Sequence, residues 1–267
     1  MDDRIKLEIR DGVADVRLAR ADKMNALDDA MFDALIGTGE RLKTERGVRA
    51  VVLSGEGGAF CAGLDTANFG AMAAGGQQIG KLLTKERTPG GANRAQHAVM
   101  VWREVPVPVI AAIQGVAFGG GCQLALACDL RFVTPEARLS VMEIKWGLVP
   151  DMGGLVLLRG LVRDDLAREL VWTGRQVAGE EARALGLASR VCADPRGEAL
   201  AFAQELAGRN PDAIRAGKRL LNLAADADQA EILLQESLEQ TALLGTPNQI
   251  EAVMANLQKR APVFSDR

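Results

Sequence analysis

Three consecutive glycines, Gly119, Gly120 and Gly121, stand directly before the apolar run CQLALAC. Glycine is about 0.5–1 kcal/mol worse than alanine inside a helix, so a triplet at a helix entry calls for a compensating contact. One candidate is a ligand: at a helix start the free N–H groups project outward, the dipole favours negative charge, and the missing Cβ lets a substrate approach the main chain. The other is tight packing of a buried helix, and this stretch alone does not choose between them. A second stretch, GEGGAFCAGLD at 55–65, is also rich in glycine and small residues and tips the balance toward a ligand. Two such turns can aim one N–H each at the same oxygen, an oxyanion hole in which a donor is commonly worth about 3–4 kcal/mol in the transition state. Neither stretch has the Lys-Ser/Thr ending of a P-loop, and neither is G-x-G-x-x-G with a following acidic partner.

The elements that must carry these turns are legible nearby. KLEIRDGVADVRL shows two period-2 runs around the turn dipeptide Asp11-Gly12, a hairpin signal. Residues 28–46 have apolar positions at helical spacing, with Asp28 as N-cap. VRAVVLSG at 48–55 and PVPVIAAIQG at 106–115 read as buried strands, each ending in glycine ahead of a loop and a helix. That alternation predicts an α/β fold with a parallel sheet and the two turns on neighbouring parallel strands. Residues 70–92 are glycine-rich and polar with weak periodicity, the pattern of a mobile flap over a site. From about residue 195 the pattern is helical throughout.

Composition narrows the function. An apolar share of 48% and a charged share of 25% over 267 residues are those of an ordinary globular protein with a substantial core. A net charge of −3 gives no nucleic-acid footprint, so an anionic ligand must be met by local charge or by backbone amides. MDDRIKLEIR has no apolar signal segment and no apolar run reaches the length of a membrane span, so no membrane partner and a cytoplasmic location are expected. Cys61, Cys122, Cys128 and Cys192 show no CxxC spacing and read as reduced packing residues. His97, the only histidine, lies in NRAQHAVMVWREV, an amphipathic helix, which leaves no histidine-rich metal site.

Taken together, KMNALD, AFCAGLD, PVIAAIQGVAFGGGCQLALACDLR, LSVMEIKWGLVPDMGG and TGRQVAGEEARALGLASRV resemble the enoyl-CoA hydratase/isomerase family, the crotonase superfamily, over nearly the whole chain. The resemblance implies a spiral of ββα units, expected over residues 1–194, and the shift to helical pattern marks 195–267 as a helical lid or trimerisation region. It also implies an acyl-CoA substrate, a homotrimer or dimer of trimers, and no metal or redox cofactor, coenzyme A being part of the substrate. Carried over residue by residue, the oxyanion amides fall on Leu64 and Gly120. The CoA channel falls on Lys23, Ala26, Ala62, Gly63, Asp65 and Gly119. Lys23, Lys81, Lys85 and Arg87 are candidate partners for CoA phosphates, with solvated surface charge as the plainer role of each flap residue.

The family's hydratases place one glutamate two residues after the glycine triplet and a second in a later motif; here these positions are Gln123 and Glu143. A neutral amide orients a water or a carbonyl but exchanges no proton near neutral pH, which marks down simple hydration. Asp151 follows eight residues after Glu143. On one continuous helix the two carboxyls would stand roughly 12 Å apart, but Gly147 and Pro150 break such a helix and allow the chain to turn back. A glutamate and an aspartate so spaced look like the family's dienoyl-CoA isomerases, where two carboxylates move protons at opposite ends of a conjugated chain. The same aspartate is the nucleophile in the family's aromatic dehalogenases, which carry tryptophan where this chain has Glu143 and depend on a histidine not securely matched by His97. The plainer readings are an N-cap for Asp151 and an exposed first-turn carboxylate for Glu143. The expected activity is isomerisation of an enoyl- or dienoyl-CoA, with Glu143 as general base and acid, Asp151 as second proton carrier and Gln123 as a neutral orienting group. Burial beside Val141, Ile144, Trp146 and Leu148 is expected to raise the Glu143 pKa. Hydration through Glu143 alone, with Gln123 placing the water, and acyl-CoA binding without catalysis are the alternatives.

Overall fold

The computed structural model describes residues 4–66 and 85–266. Asp11 and Gly12 both take positive φ, 51° and 80°, the geometry of a two-residue hairpin turn, and fold β1 (Ile5–Arg10) antiparallel onto β2 (Val13–Leu18). Asp28 caps α1 (Asp29–Thr44), its side chain accepting from Met31 N at 2.9 Å. β3 (Ala50–Gly55) and β4 (Val109–Ile113) are buried along their whole length, as strands covered on both faces of a parallel sheet are. Between them lies α2 (Arg94–Glu104), opened by a capping box of Asn93 and Gln96.

β4 does not lead straight to the glycine triplet. Gly115 turns the chain into a three-residue strand, β5 (Val116–Phe118), which enters α3 (Gly120–Ala127). No side chain fits at that corner, because a Cβ on Gly115 would lie 1.9 Å from Gly58 O. The pattern repeats in β6 (Leu130–Val133) and β7 (Arg138–Ser140), followed by α4 (Gly154–Arg159) and α5 (Asp164–Thr173). The chain continues through β8 (Val177–Ala178), α6 (Gly179–Leu185) and β9 (Arg190–Val191), then α7 (Pro195–Ala207), α8 (Pro211–Leu223), α9 (Gln229–Leu243) and α10 (Pro247–Leu257).

Among the described residues β1, β2, β3, β4, β6 and β9 form a six-stranded sheet in that order, and the short strands that follow β4 and β6 leave it to form, with β8, a three-stranded sheet, β5-β7-β8. From β2 to β9 the larger sheet is parallel. This arrangement is the spiral of ββα units that the sequence resemblance implies. The expectation of two turns on neighbouring parallel strands needs one correction: the first turn follows β3 in the large sheet, the second follows β5 in the small one. VAF is too short to show a period.

Alternation along β3 and β4 splits the core. Val51, Leu53, Val109, Ala111 and Ile113 face the helices and the small sheet, while Ala50, Val52, Ile110 and Ala112 face α7, packing with Ala199, Ala203 and Ala207. The boundary expected at 194/195 falls just before α7, and α7 packs on the large sheet as part of the core. α8 is tied on by buried Lys218, whose Nζ donates to Asp129 Oδ2 at 2.7 Å and to Val107 O at 2.9 Å.

Candidate active site

The turn after β3 is stitched on both sides. Leu27 N donates to Gly63 O (2.8 Å) and Asp65 N to Leu27 O (3.0 Å), a parallel bridge that uses the groups flanking Leu64 and leaves the Leu64 N–H on the other side. Cys61 exchanges both its backbone bonds with β5, through Val116 O and Phe118 N, each at 3.0 Å. Asn25, fully buried with φ 55°, ties the turn to the KMNAL loop: Nδ2 donates to Glu56 O at 3.0 Å and Ala59 O at 2.9 Å, and Oδ1 accepts from Arg20 N at 2.9 Å. Asn25 is not among the residues the motifs single out; its signal is an asparagine, a non-glycine residue that tolerates left-handed backbone well, inside the loop.

Each glycine of the triplet has its own reason. Gly119 is the N-cap, with φ 51° and a Cβ position 3.4 Å from Glu143 Oε1. A Cβ on Gly120 would meet Met152 Sδ at 2.7 Å and Leu27 Cδ1 at 2.8 Å. On Gly121 it would meet Cys61 O at 2.4 Å. Packing thus accounts for Gly120 and Gly121, and left-handed backbone for Gly119. Gly63 brings the turns together, its Cβ position being 3.6 Å from Gly120 N. Among the described residues neither Leu64 N nor Gly120 N donates to a backbone carbonyl.

Gln123 projects from α3 into the floor of this region and is fully buried. Its Oε1 accepts from Met152 N and Gly154 N, both at 2.9 Å, and its Nε2 donates to Glu143 Oε1 at 2.6 Å. Glu143 opens a short 3-10 turn, Glu143–Trp146, ended by Gly147 in left-handed backbone, so no continuous helix runs to Asp151. Glu143 is half-buried, and its Oε2 is buried without a hydrogen-bond partner among the described residues. It is therefore not an exposed first-turn carboxylate. Burial raises its pKa, Gln123 opposes that rise, and the charge of Asp151 adds to it. The source of that burial differs from expectation: Val141 is buried, but Ile144, Trp146 and Leu148 are each 45% exposed. Asp151 is exposed, yet desolvation still pushes its carboxyl upward. Asp151 does not cap α4, whose N-cap is Gly153 with no side-chain bond.

The residues expected along the CoA channel are dispersed around this centre. Ala26 and Gly63 are buried, Ala62 and Asp65 half-buried, and Lys23 exposed. Asp65 is held by Arg20 at 2.6 Å, an ion pair that anchors the turn. Lys85 and Arg87 are exposed, and Lys81, with most of the expected flap, lies outside the described residues. His97 is on α2, as expected, with Nε2 3.0 Å from Glu40 Oε1. Lys43 bridges Glu40 and Glu104 beside it, so that acidic cluster is neutralised by a lysine. Three of the four cysteines are buried and all are free; burial pushes the Cys61 and Cys122 thiols up to about 12. Among the described residues no helix is long and apolar enough to cross a membrane.

A ββα spiral with two glycine-bearing turns meeting beside a half-buried carboxyl defines a crotonase-type site. The model of the family described as enoyl-CoA hydratase/isomerase matches residues 8–267, and the chain belongs to that family. It is 33% identical over 260 residues to the mitochondrial enoyl-CoA hydratase domain-containing protein 2 of Homo sapiens, covering 95% of this chain and 85% of that protein. It is 31% identical over 260 residues to the mitochondrial methylglutaconyl-CoA hydratase of Mus musculus, covering 95% and 79%. A crystal structure of an enoyl-CoA hydratase from Polaromonas superposes with a TM-score of 0.88 at 29% identity, covering 98% of this chain and 99% of that one.

Proposed function

We propose that this acyl-CoA enzyme isomerises an enoyl- or dienoyl-CoA thioester by moving a proton along the acyl chain. The observation that carries the reading is the Glu143 carboxyl: half-buried, raised in pKa, beside Gly119, with its partner on α3 an amide and not a second acid. The thioester carbonyl accepts from the N–H groups of Leu64 and Gly120, and ionised Glu143 removes a proton from C2. The C–H electron pair moves into the carbonyl oxygen as an enolate, which the two amides stabilise. The proton then returns at C4 of a 3-enoyl chain, shifting the double bond to C2=C3. In a 3,5-dienoyl chain Asp151 supplies the proton at C6, and Glu143 keeps the one from C2. No atom is gained or lost. Lys23, Ala26, Ala62, Gly63 and Asp65 line the approach for CoA, and the reaction calls for no cofactor beyond the CoA of the substrate.

Hydration is the second reading, favoured by the relatives described above as hydratases. It must rely on Glu143 alone, since Gln123 Oε1 is already committed to two backbone amides. Incubation with 2-enoyl-, 3-enoyl- and 3,5-dienoyl-CoA, followed by ultraviolet absorbance and mass, separates the two. Gain of conjugated absorbance at constant mass supports isomerisation, and loss of absorbance with one added water supports hydration. Calorimetric binding with no turnover of any thioester sinks both and leaves a binder.

Self-assembly as a homotrimer or dimer of trimers belongs to the same proposal. Leu233, Leu234 and Leu238 on α9, with Val253, Met254 and Leu257 on α10, are exposed apolar side chains that a partner would cover. Sedimentation equilibrium reads the assembly directly.

A further inference from the structure

The partners of Gln123 determine how its amide is turned. An oxygen facing Met152 N and Gly154 N meets two donors, and the reversed amide would set N–H groups against N–H groups. Gly154 completes the slot, because a Cβ there would lie 2.7 Å from that oxygen. With Oε1 fixed, Nε2 must point at Glu143 Oε1, 2.6 Å away. An oxygen that accepts from an N–H at that distance is not where an acidic proton resides. The other oxygen, Oε2, is the buried atom without a protein partner among the described residues.

We propose that Gln123 is a positioning residue that confines the exchangeable proton of Glu143 to Oε2 and ties that carboxyl to the turn carrying Asp151. The inference rests on Glu143 being the proton carrier. It also gives the neutral residue a purpose. A glutamate at 123 would keep one oxygen on the two amides but press its other oxygen against Glu143 Oε1, so that the two acids would share a proton and titrate as a pair. With glutamine, Glu143 titrates without a second acid in hydrogen-bond contact.

The test compares Gln123→Met, which keeps length and removes the amide, with Gln123→Glu, both checked for folding by circular dichroism, using whichever thioester the assay above shows to turn over. In Gln123→Met the bond that opposes the raised pKa of Glu143 is gone. The acid limb of kcat/KM should move to higher pH, with kcat lowered about 10- to 100-fold and KM within about threefold. In Gln123→Glu the acid limb should split into two steps. A folded Gln123→Met with an unmoved acid limb, or a loss confined to KM, overturns the positioning role. If either variant fails to fold, the wild-type protein labelled with 15N-glutamine decides: one side-chain N–H of Gln123 should move downfield as Glu143 ionises, and an amide signal indifferent to pH overturns the proposal. Glu143→Gln separates this from the parent reading, because full turnover in that variant removes Glu143 from the chemistry whatever Gln123 does.

Discussion

Gln123 Nε2 lies 2.6 Å from Glu143 Oε1, and the same side chain holds the amides of Met152 and Gly154 just beyond Asp151. One buried amide on α3 thus clasps both ends of the turn that bears the two carboxyls. Replacing Glu143 with glutamine keeps an oxygen for that bond and removes the proton exchange. Turnover of the preferred thioester should fall by about 10²–10⁴, the usual share of a general acid–base group, while calorimetric affinity for an acyl-CoA stays within a few-fold.

The pH dependence follows from the raised pKa of Glu143. A base acts when ionised, so kcat/KM should rise with pH through a midpoint above the ordinary glutamate value of 4.5. Stability should respond with the opposite sign. The native state keeps a proton that the unfolded chain has already lost, so the contribution of this group is complete below the unfolded pKa and is lost as pH rises through the folded one. Thermal melts of wild type and Glu143→Gln across that window should diverge, with only the wild type declining on this account.

Asp151 is assigned the far end of the conjugated chain. Asp151→Asn should lower turnover of a 3,5-dienoyl-CoA about 100-fold and leave a 3-enoyl-CoA within a few-fold. Equal losses on both substrates would place Asp151 in binding or folding instead.

Gly121 faces a backbone oxygen and not a ligand. Gly121→Ala should destabilise the protein by about 1–3 kcal/mol, because Cys61 O, 2.4 Å from the new Cβ, belongs to a turn held by β5. Gly58→Ala, where a Cβ would have nothing within 4 Å, should stay within about 0.5 kcal/mol. Denaturant unfolding of the pair checks both.

Asn25→Ala strands the carbonyls of Glu56 and Ala59, each without the amide donor it now has. A loss of about 1–3 kcal/mol in stability is expected, together with a lower kcat, because the turn bearing Leu64 N keeps its backbone bridge to Leu27 but loses the side-chain bonds that tie it to the KMNAL loop. Chemical denaturation and steady-state rates on the same variant measure the two effects.

What the residues themselves dictated is local. Asp11-Gly12 closes a hairpin because both residues accept positive φ, Asp28 caps α1 because its side chain reaches Met31 N, and Gly147 with Pro150 interrupts the helix after Glu143. The motifs added family membership. Tertiary structure decided what depends on contacts between distant segments: that β5 intervenes before α3, that Asn25 binds a turn more than thirty residues away, that Gly121 answers to Cys61, and that Gln123 faces Glu143 and two amides. It also left Ile144, Trp146 and Leu148 exposed where the sequence suggested a buried wall around Glu143. Backbone preference is a property of a residue and its neighbours, whereas the partner of a buried polar atom is set by the register of the sheets and the depth of the packing around it.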